Sequence, residues 1–451
     1  MIATLVADGV VIVVALILAL SGGSGHDSPR RAAAPPPPDR PVLRRSFLEQ
    51  VIPPARGGLP GAGAPARIAA AVRAMPVQDK VAQLMLLGFE GRGASPAVLG
   101  LLRSRPLGGI VIRRTNYASR DQITAAAGQA TLAARRSRHY PPFIWAPQEG
   151  GAFSAIPGVP PADAPGDAAG VRAAARDAGA AGRELSRLDL NGVLAPVVDV
   201  GTESADDALG ARAFSSRPGS TAAFASATVA AYKRAGMVSA AEHFPGLGAA
   251  NQPVEDGQAS VGLSLDQLRK RDLVPFVAAI RAGAPAIVIS NASYATDDFV
   301  TPATQSKAIS TDLLRGEMRF TGVAIADDLS QPAITSSMSV ADAAVQAIVA
   351  GSDLVYISGP ARGQEGAYQA LLKAARSGAI PRARLDEAVT RVLTLKQEYG
   401  LVRGSRPRTK PPAVAPPATV APATPGVTTP AVPGQTTPAQ PSTQPGAPPG
   451  P

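Results

Sequence analysis

The chain has 451 residues, of which 45% are hydrophobic and 17% charged, so it can form one large folded domain with additional terminal segments. It contains no cysteine and three histidines, which excludes disulfides, thiolate metal sites and a lipid-modified cysteine and does not favour zinc. The net charge is +10, but aromatic residues make up only 4% and the arginines are dispersed. This pattern argues against nucleic-acid binding and suits an anionic membrane or wall polymer better.

Residues 1–22 are predicted to be a transmembrane anchor or a signal segment. Asp8 is the only charge before a run of apolar residues from Gly9 to Leu20, and the whole segment approaches the ~20 residues that a spanning helix needs. Residues 23–65 follow as a linker rich in Pro and Arg. Because Arg30 and Arg31 come after the apolar run, the positive-inside rule alone would leave the following domain in the cytoplasm.

Residues 403–451 form the opposite end of the chain and are predicted to be a disordered or polyproline-like tail. From Pro411 onward this tail carries no charge and consists mostly of Pro, Ala, Thr, Gly, Val and Gln. Such tails are typical of segments that lie in a cell wall, although a solvated spacer is equally compatible. We therefore expect a membrane-anchored protein whose folded domain is extracytoplasmic.

The central region, residues 66–402, alternates apolar strand-like runs with Ala-rich helical stretches. The runs are continuous rather than alternating, which indicates strands buried on both faces and hence a parallel sheet. Eight strands with helices between them predict an α/β fold of the (β/α)₈ TIM-barrel type, with a doubly wound open sheet as the alternative. The predicted strands are Gln83–Phe89, Gly109–Ile112, Phe143–Ala146, Val193–Val200, Met237–Ala241, Ala286–Ser290, Gly322–Ala326 and Leu354–Ile357.

Polar residues follow the predicted strands at the end where parallel α/β folds place their sites. Carboxylates are concentrated there with one arginine and one histidine, which favours acid–base or nucleophilic chemistry on a sugar or polyol. The residues are Gln148, Glu149, Asp199, Arg212, Glu242, His243, Asn291, Tyr294, Asp327 and Asp328.

Asp327 and Asp328 form the most informative pair among them. Neighbouring side chains at a strand end point in different directions, so one carboxylate can enter the site while the other caps the next segment. The alternative is that both serve only as caps or ion-pair partners.

Short blocks in a fixed order resemble the glycoside hydrolase family 3 N-terminal domain, in its β-N-acetylhexosaminidase branch. The resemblance covers about residues 70–400. The blocks are Lys80–Leu84, Gly88–Gly91, Leu107–Ile110, Gln148–Gly151, Ala195–Val200, Gly210–Phe214, His243–Gly246 and Gly322–Ser330.

The resemblance implies a TIM barrel and a retaining glycosidase without a cofactor or metal. Asp327 matches the position of the nucleophile, and Arg212 and His243 match positions that hold the terminal sugar. Glu149 lies in one of these blocks and Glu242 directly precedes another, and both are expected to bind substrate as well. The expected partner is a carbohydrate, and the expected oligomeric state is a monomer.

Four substitutions depart from the motifs of this family. Pro147 replaces an aspartate that binds a sugar hydroxyl, and Ala152 replaces an arginine. Glu242 replaces a lysine, and Leu247 replaces a second histidine. Glu242 reverses a charge, so it could pair with Arg212 or favour a cationic sugar such as a de-acetylated amino sugar.

The loop at residues 251–257 departs further, because the family carries there an Asp–His pair that acts as general acid/base. This loop has no histidine, His26 lies beside the apolar segment, and His139 precedes the third strand at the opposite barrel face. Glu255 or Asp256 could replace the missing acid/base, since a carboxylic acid in an apolar pocket can hold its proton. The alternative is that both are solvated loop charges.

These observations leave two main hypotheses. The first is a glycosidase that acts on β-linked, amino-sugar-containing glycans of the cell wall, with retention through Asp327. The second is a catalytically impaired glycan-binding or scaffold protein on the same barrel. A small-molecule enzyme on an unrelated barrel is a third.

Overall fold

The computed structural model describes residues 66–202 and 208–402, which form a closed barrel of eight parallel strands. The strands pair in chain order, and β8 closes the barrel onto β1 through the register Met85↔Val355. The strands are β1 Met85–Leu87, β2 Gly109–Val111, β3 Phe143–Pro147, β4 Gly192–Val197, β5 Val238–Phe244, β6 Ala286–Ile289, β7 Val323–Ala326 and β8 Leu354–Ile357.

Helices surround the barrel and alternate with its strands. They are α1 Ala66–Ala74, α2 Val77–Gln83, α3 Pro96–Ser104, α4 Arg120–Arg136, α5 Val171–Arg187, α6 Pro218–Arg234, α7 Leu265–Lys270, α8 Leu273–Ala282, α9 Pro332–Thr335, α10 Val340–Ala350, α11 Ala361–Ser377, α12 Arg382–Glu398 and a π-helix Ala308–Glu317. Two further strands, Ser260–Val261 and Ser293–Tyr294, pair with each other outside the barrel.

The barrel prediction is confirmed, and the open-sheet alternative is wrong. The predicted anchor, linker and tail (1–22, 23–65 and 403–451) lie outside the described residues. Within 66–202 and 208–402, none of the helices is long and apolar enough to cross a membrane.

The stretch Leu265–Ala282 is divided into two helices, α7 and α8. The break falls at Arg271 and Asp272, and Pro275 lies in the first turn of α8. A proline in the middle of one continuous helix would clash with the carbonyl of Arg271, four residues earlier, whereas a first turn tolerates it. The proline therefore explains why the helix restarts.

The barrel interior is filled by apolar side chains, as the continuous apolar strands require. Phe143 and Trp145 of β3 meet edge to face with ring centroids 5.6 Å apart and are both buried. Gly192 of β4 makes room for this pair, because a Cβ there would come within 2.4 Å of the Trp145 ring. The interior is thus a packed core, and a binding site can form only at the ends of the barrel.

The amino-terminal end of the barrel is closed by α12. Lys396 is buried there, and its Nζ donates to Gln83 Oε1 at 2.9 Å and to the Leu107 carbonyl at 3.2 Å. Its charge also lies 5.5 Å from the centre of the Phe143 ring. Nearby, Asp353 precedes β8 and binds three arginines, Arg315, Arg384 and Arg391. These contacts fill the amino-terminal end of the barrel, so a functional site is expected at the carboxyl-terminal end.

Candidate active site

Glu242 and His243 belong to the last residues of β5, whereas the sequence placed them after the strand. β5 continues to Phe244, and its pairing with β6 shifts register between Ala241 and Phe244. Such irregularities re-aim side chains near active sites. The regular alternation of a strand does not hold here, and both residues approach the same group of charges.

His243 is held by Asp199, which lies two residues beyond β4. The Nδ1 atom and the backbone N–H of His243 lie 2.8 and 3.0 Å from Asp199 Oδ2. Burial of the imidazole opposes protonation, but the charge and hydrogen bond of Asp199 outweigh it and raise the pKa of His243 to about 10. The site therefore holds an imidazolium–carboxylate pair near neutral pH.

Arg212 forms a second, partly buried pair with Glu149. Arg212 ends the turn Gly210–Arg212, and its Nε and Nη2 donate to the two Glu149 oxygens at 2.7 and 2.9 Å. Its Nη2 lies 3.3 Å from His243 Nε2, so the two pairs touch. Burial opposes the charge of Arg212, but Glu149 more than compensates and raises the pKa of Arg212. The bidentate geometry fixes the guanidinium in one orientation.

Asp327 and Asp328 divide their roles as the sequence predicted. Asp328 Oδ1 accepts the backbone N–H groups of Ser330 and Ser358 at 3.0 and 2.9 Å, so this carboxylate caps the following segments. Asp327 follows β7 directly, and its Oδ1 accepts the Asp328 N–H at 2.7 Å. Asp328 thus uses one oxygen for two backbone N–H groups, whereas Asp327 accepts a single backbone N–H.

The second oxygen of Asp327, Oδ2, is buried and has no hydrogen-bond partner among the described residues. Burial raises the pKa of Asp327 to about 6, although the charge of His243 works in the opposite direction. Asp327 is therefore a carboxylate with one anchored oxygen and one free oxygen in the field of an imidazolium.

Glu242 is the least satisfied carboxyl of the site. Its side chain is only 6% exposed, its Oε2 lies 3.9 Å from His243 Nε2, and its Oε1 has no partner within the described ranges. Burial, with help from Glu149 and Asp327, raises the pKa of Glu242 to about 8 against the opposing charges of His243 and Arg212. Arg212 takes Glu149 as its bidentate partner, so the pairing of Glu242 with Arg212 that the sequence left open is not the one formed.

The loop after β5 is folded against the barrel rather than extended. The Leu247 N–H donates to Asp199 Oδ1 at 2.7 Å, and the Ala333 N–H of α9 donates to the Val254 carbonyl at 3.1 Å. Gly248 passes so close to Val200 that a Cβ would lie 1.7 Å from its carbonyl oxygen. These contacts hold the loop between the ends of β4 and β7.

This loop brings Glu255, and not Asp256, to the site. Glu255 Oε1 lies 3.8 Å from Arg212 Nη1, and its side chain is 53% exposed. Asp256 is exposed, and its backbone N–H closes a turn onto the Pro253 carbonyl. Of the two carboxyls that could replace the missing acid/base, only Glu255 makes a contact with the site residues described above.

The other three departing positions carry apolar side chains. Leu247 is buried and contributes only its backbone N–H to Asp199. Pro147 ends β3, and Ala152 is exposed in the turn Gly151–Phe153. His139 lies before β3, where its Nδ1 is 3.1 Å from the Leu102 carbonyl, so the prediction that it stays away from the site is confirmed.

Sequence reasoning identified Asp199 as a strand-end residue but did not give it a role. It is the partner that holds both His243 and the loop backbone at Leu247. The signal that could have revealed it is the position of an aspartate at the end of the strand next to the one that carries His243. Tyr294 was also left without a role, and its hydroxyl donates to the Gly246 carbonyl at 3.0 Å.

A (β/α)₈ barrel with unmatched carboxylates beside a histidine and an arginine at the carboxyl ends of its strands defines a candidate sugar-processing enzyme. The glycosyl hydrolase family 3 N terminal domain matches residues 76–395, and the chain belongs to this family. The resemblance seen in the sequence is thereby confirmed.

Individual relatives agree with this assignment. A β-hexosaminidase of Xanthomonas oryzae pv. oryzae is 34% identical over 289 residues, which cover 61% of this chain and 84% of the relative. The solved β-N-acetylglucosaminidase of Paenibacillus sp. str. FPU-7 has a TM-score of 0.70 and 31% identity over 73% of this chain, which spans only 63% of that structure. The β-N-acetylhexosaminidase of Beutenbergia cavernae has a TM-score of 0.66 and 29% identity, with coverage of 71% and 98%.

Proposed function

We propose that the protein is a retaining glycosidase that hydrolyses β-linked, amino-sugar-containing glycans with Asp327 as its nucleophile. One observation carries the proposal: a buried carboxylate oxygen, Asp327 Oδ2, is free of partners among the described residues while its sister oxygen is anchored. An anchored carboxylate with one free oxygen is suited to form a covalent bond at a fixed place. The named relatives, two of them described as acting on N-acetylated amino sugars, support the substrate class.

In the first step, Asp327 Oδ2 attacks the anomeric carbon of the terminal sugar, and the bond between this carbon and the glycosidic oxygen breaks. Glu255 gives its proton to the departing oxygen. Arg212 and His243 donate hydrogen bonds to sugar hydroxyls and hold the ring, with Glu149 and Asp199 fixing their orientation. The product is a glycosyl ester on Asp327 and a free alcohol.

In the second step, a water molecule attacks the anomeric carbon from the side that the leaving group vacated. Glu255 now takes a proton from this water, and the ester bond to Asp327 breaks. Two inversions restore the original β configuration. Two observations support Glu255 in this role: its loop is hydrogen-bonded to α9 through Val254 and Ala333, and its charge acts on Asp327.

We further propose that the barrel works as a monomer outside the cytoplasm, on wall glycans. The support is the apolar segment at residues 1–22 and the uncharged Pro/Thr-rich segment within residues 403–451, together with the net charge of +10. Protease treatment of intact cells tests the location: degradation of the barrel without lysis is expected, and full protection until lysis would contradict it. Light scattering of the purified chain tests the monomer.

The decisive test of hydrolysis is a panel of aryl β-glycosides that includes the N-acetylglucosaminide. We expect turnover by the unaltered chain and loss of turnover by Asp327→Asn, which keeps the shape of the side chain but not its charge. A 2-fluoro glycoside should label Asp327 covalently, as mass spectrometry of the peptide would show. Turnover that does not exceed that of Asp327→Asn, with no label, would contradict the proposal.

The second candidate function is glycan binding without hydrolysis. The observation that favours it is the ion contact of Glu255 with Arg212 at 3.8 Å, which gives this carboxylate a structural role without an acid/base function. Calorimetric binding of an oligosaccharide that remains intact after prolonged incubation would select this function. Covalent labelling of Asp327 would exclude it.

A further inference from the structure

We propose that this site selects a sugar with a free, positively charged amine rather than an N-acetylated one, and that Glu242 is the residue that determines this specificity. The inference rests on the proposed function and names the sugar class that the same site prefers. It follows from the balance of charges and hydrogen bonds around Glu242.

The cations of the site are already matched. Arg212 is bound by both oxygens of Glu149, and His243 is bound by Asp199. Among the charges that act most strongly on Glu242 and Asp327, these two residues are the only cations in the described part of the chain. Asp327, and Glu242 whenever it is ionised, therefore have no counter-ion of their own among the side chains described for the site.

The two inner carboxyls also lack hydrogen-bond donors. Glu242 Oε1 and Asp327 Oδ2 are both buried, and neither has a partner among residues 66–202 and 208–402. A buried acceptor without a donor is costly, and a buried charge without a counter-charge is more costly still. Burial is the main cause that raises the pKa of Glu242 to about 8 and that of Asp327 to about 6, so Glu242 holds a proton at neutral pH until a cation lies beside it.

A ligand that carries an ammonium group removes both deficits. An ammonium has three donors and one positive charge, whereas an acetamide has one N–H donor, no charge and an additional carbonyl acceptor that would face carboxylate oxygens. The amine of a 2-amino sugar stands on the ring carbon next to the anomeric carbon. A sugar placed for attack by Asp327 therefore brings its amine into the field of the unmatched carboxylates. Neutral hydroxyls could satisfy the acceptors but would leave the charge unbalanced.

The test compares an aryl β-glucosaminide with the aryl β-N-acetylglucosaminide of the same leaving group, using the full-length protein. We expect kcat/KM to favour the free amine by at least about ten-fold, since one charge-assisted hydrogen bond corresponds to a ten- to hundred-fold ratio. Glu242→Lys should reduce this ratio by about ten-fold or more, and Glu242→Gln should reduce it less, because the amide still accepts a hydrogen bond.

Asp312→Lys is the matched control, since it makes the same charge change at an exposed residue of the π-helix. The ratio of its kcat/KM values for the two glycosides should equal that of the unaltered chain. Thermal unfolding should show that all variants are folded. A preference of the unaltered chain for the acetamide, or a ratio that Glu242→Lys does not change, would overturn the inference.

Failure of hydrolysis is distinguishable from failure of this inference. If neither glycoside is turned over, the proposed function fails. The preference for the free amine is then measured by calorimetry, as the ratio of the Kd values of N-acetylglucosamine and glucosamine. Tighter binding of glucosamine that is lost in Glu242→Lys supports the inference. Equal or weaker binding of glucosamine, or no binding of either sugar, contradicts it.

Discussion

His243 and Asp199 are joined by two contacts to one oxygen: Nδ1 lies 2.8 Å and the backbone N–H 3.0 Å from Asp199 Oδ2. The other oxygen of Asp199 accepts the Leu247 N–H at 2.7 Å. One buried carboxylate thus orients the histidine, keeps it protonated and fixes the start of the loop that carries Glu255. The charge of the site and the position of its loop depend on the same residue.

Asp199→Asn is expected to lower the pKa of His243 from about 10, because burial and Arg212 would no longer be opposed by the charge of Asp199. If His243 binds the sugar as an imidazolium, KM should rise by about ten- to hundred-fold at neutral pH, with a smaller effect on kcat. Titration of the imidazole signals by NMR checks the pKa, and His139 provides an internal reference. A His243 signal that titrates as in the unaltered chain would show that Asp199 does not hold its proton.

Glu255→Gln is expected to lower kcat by about 10²–10⁴ for substrates with poor leaving groups, since this is the usual contribution of general acid–base catalysis. Azide should restore part of the rate with an activated aryl glycoside and give a β-glycosyl azide, because it attacks without needing a base. Asp256→Asn is the control, as this neighbour makes a turn and no contact with the site residues described here. Equal losses in both variants, without rescue by azide, would assign both effects to the loop and not to an acid/base.

Much of the fold was predictable because buried parallel strands leave a simple trace in the sequence. A run such as Leu354–Ile357 is apolar at every position, and it forms β8 with the predicted bounds. The division of roles between Asp327 and Asp328 followed from the alternation of side chains at a strand end. The division of Leu265–Ala282 was also accessible, since Pro275 is visible in the sequence.

The partners within the site were not predictable in the same way. Whether Arg212 binds Glu149 or Glu242 depends on how the ends of β3, β4 and β5 lie relative to one another, which no local pattern encodes. Local alternation even misleads at β5, where the register shift lets Glu242 and His243 approach the same charges. The choice between Glu255 and Asp256 is likewise set by a tertiary contact, the hydrogen bond from Ala333 to Val254.

Asp353→Asn is expected to destabilise the protein by about 3–5 kcal/mol, the usual cost of breaking a buried ion pair on one side. Asp353 is fully buried and binds Arg315, Arg384 and Arg391 at 2.7, 2.8 and 3.1 Å. Although burial opposes its charge, the three arginines lower its pKa from 3.8 to about 2. The pKa of this carboxyl in the unfolded chain is 3.8. The charge of Asp353 therefore stabilises the folded protein fully above this pH, and the stabilisation is lost as the pH falls through about 2.

Urea unfolding at several pH values measures this effect. Asp312→Asn removes the exposed pair with Lys307 and should change stability by less than about 1 kcal/mol. If Asp353→Asn is no more harmful than Asp312→Asn at neutral pH, the arginine cluster does not stabilise the amino-terminal end of the barrel.

Lys396→Met is expected to change how stability depends on pH at the closed end of the barrel. Burial lowers the pKa of Lys396 from 10.5 to about 7, so the folded protein binds fewer protons than the unfolded chain between these values. The free energy of unfolding of the unaltered protein minus that of Lys396→Met should therefore increase as the pH is raised from 7 towards 10.5, by at most about 1.4 kcal/mol per pH unit. Taking the difference removes the contributions of all other titrating groups.

The exposed Lys373→Met on α11 should show no such trend. A constant difference over this range would mean that Lys396 stays charged in the fold, held by Gln83, the Leu107 carbonyl and the Phe143 ring.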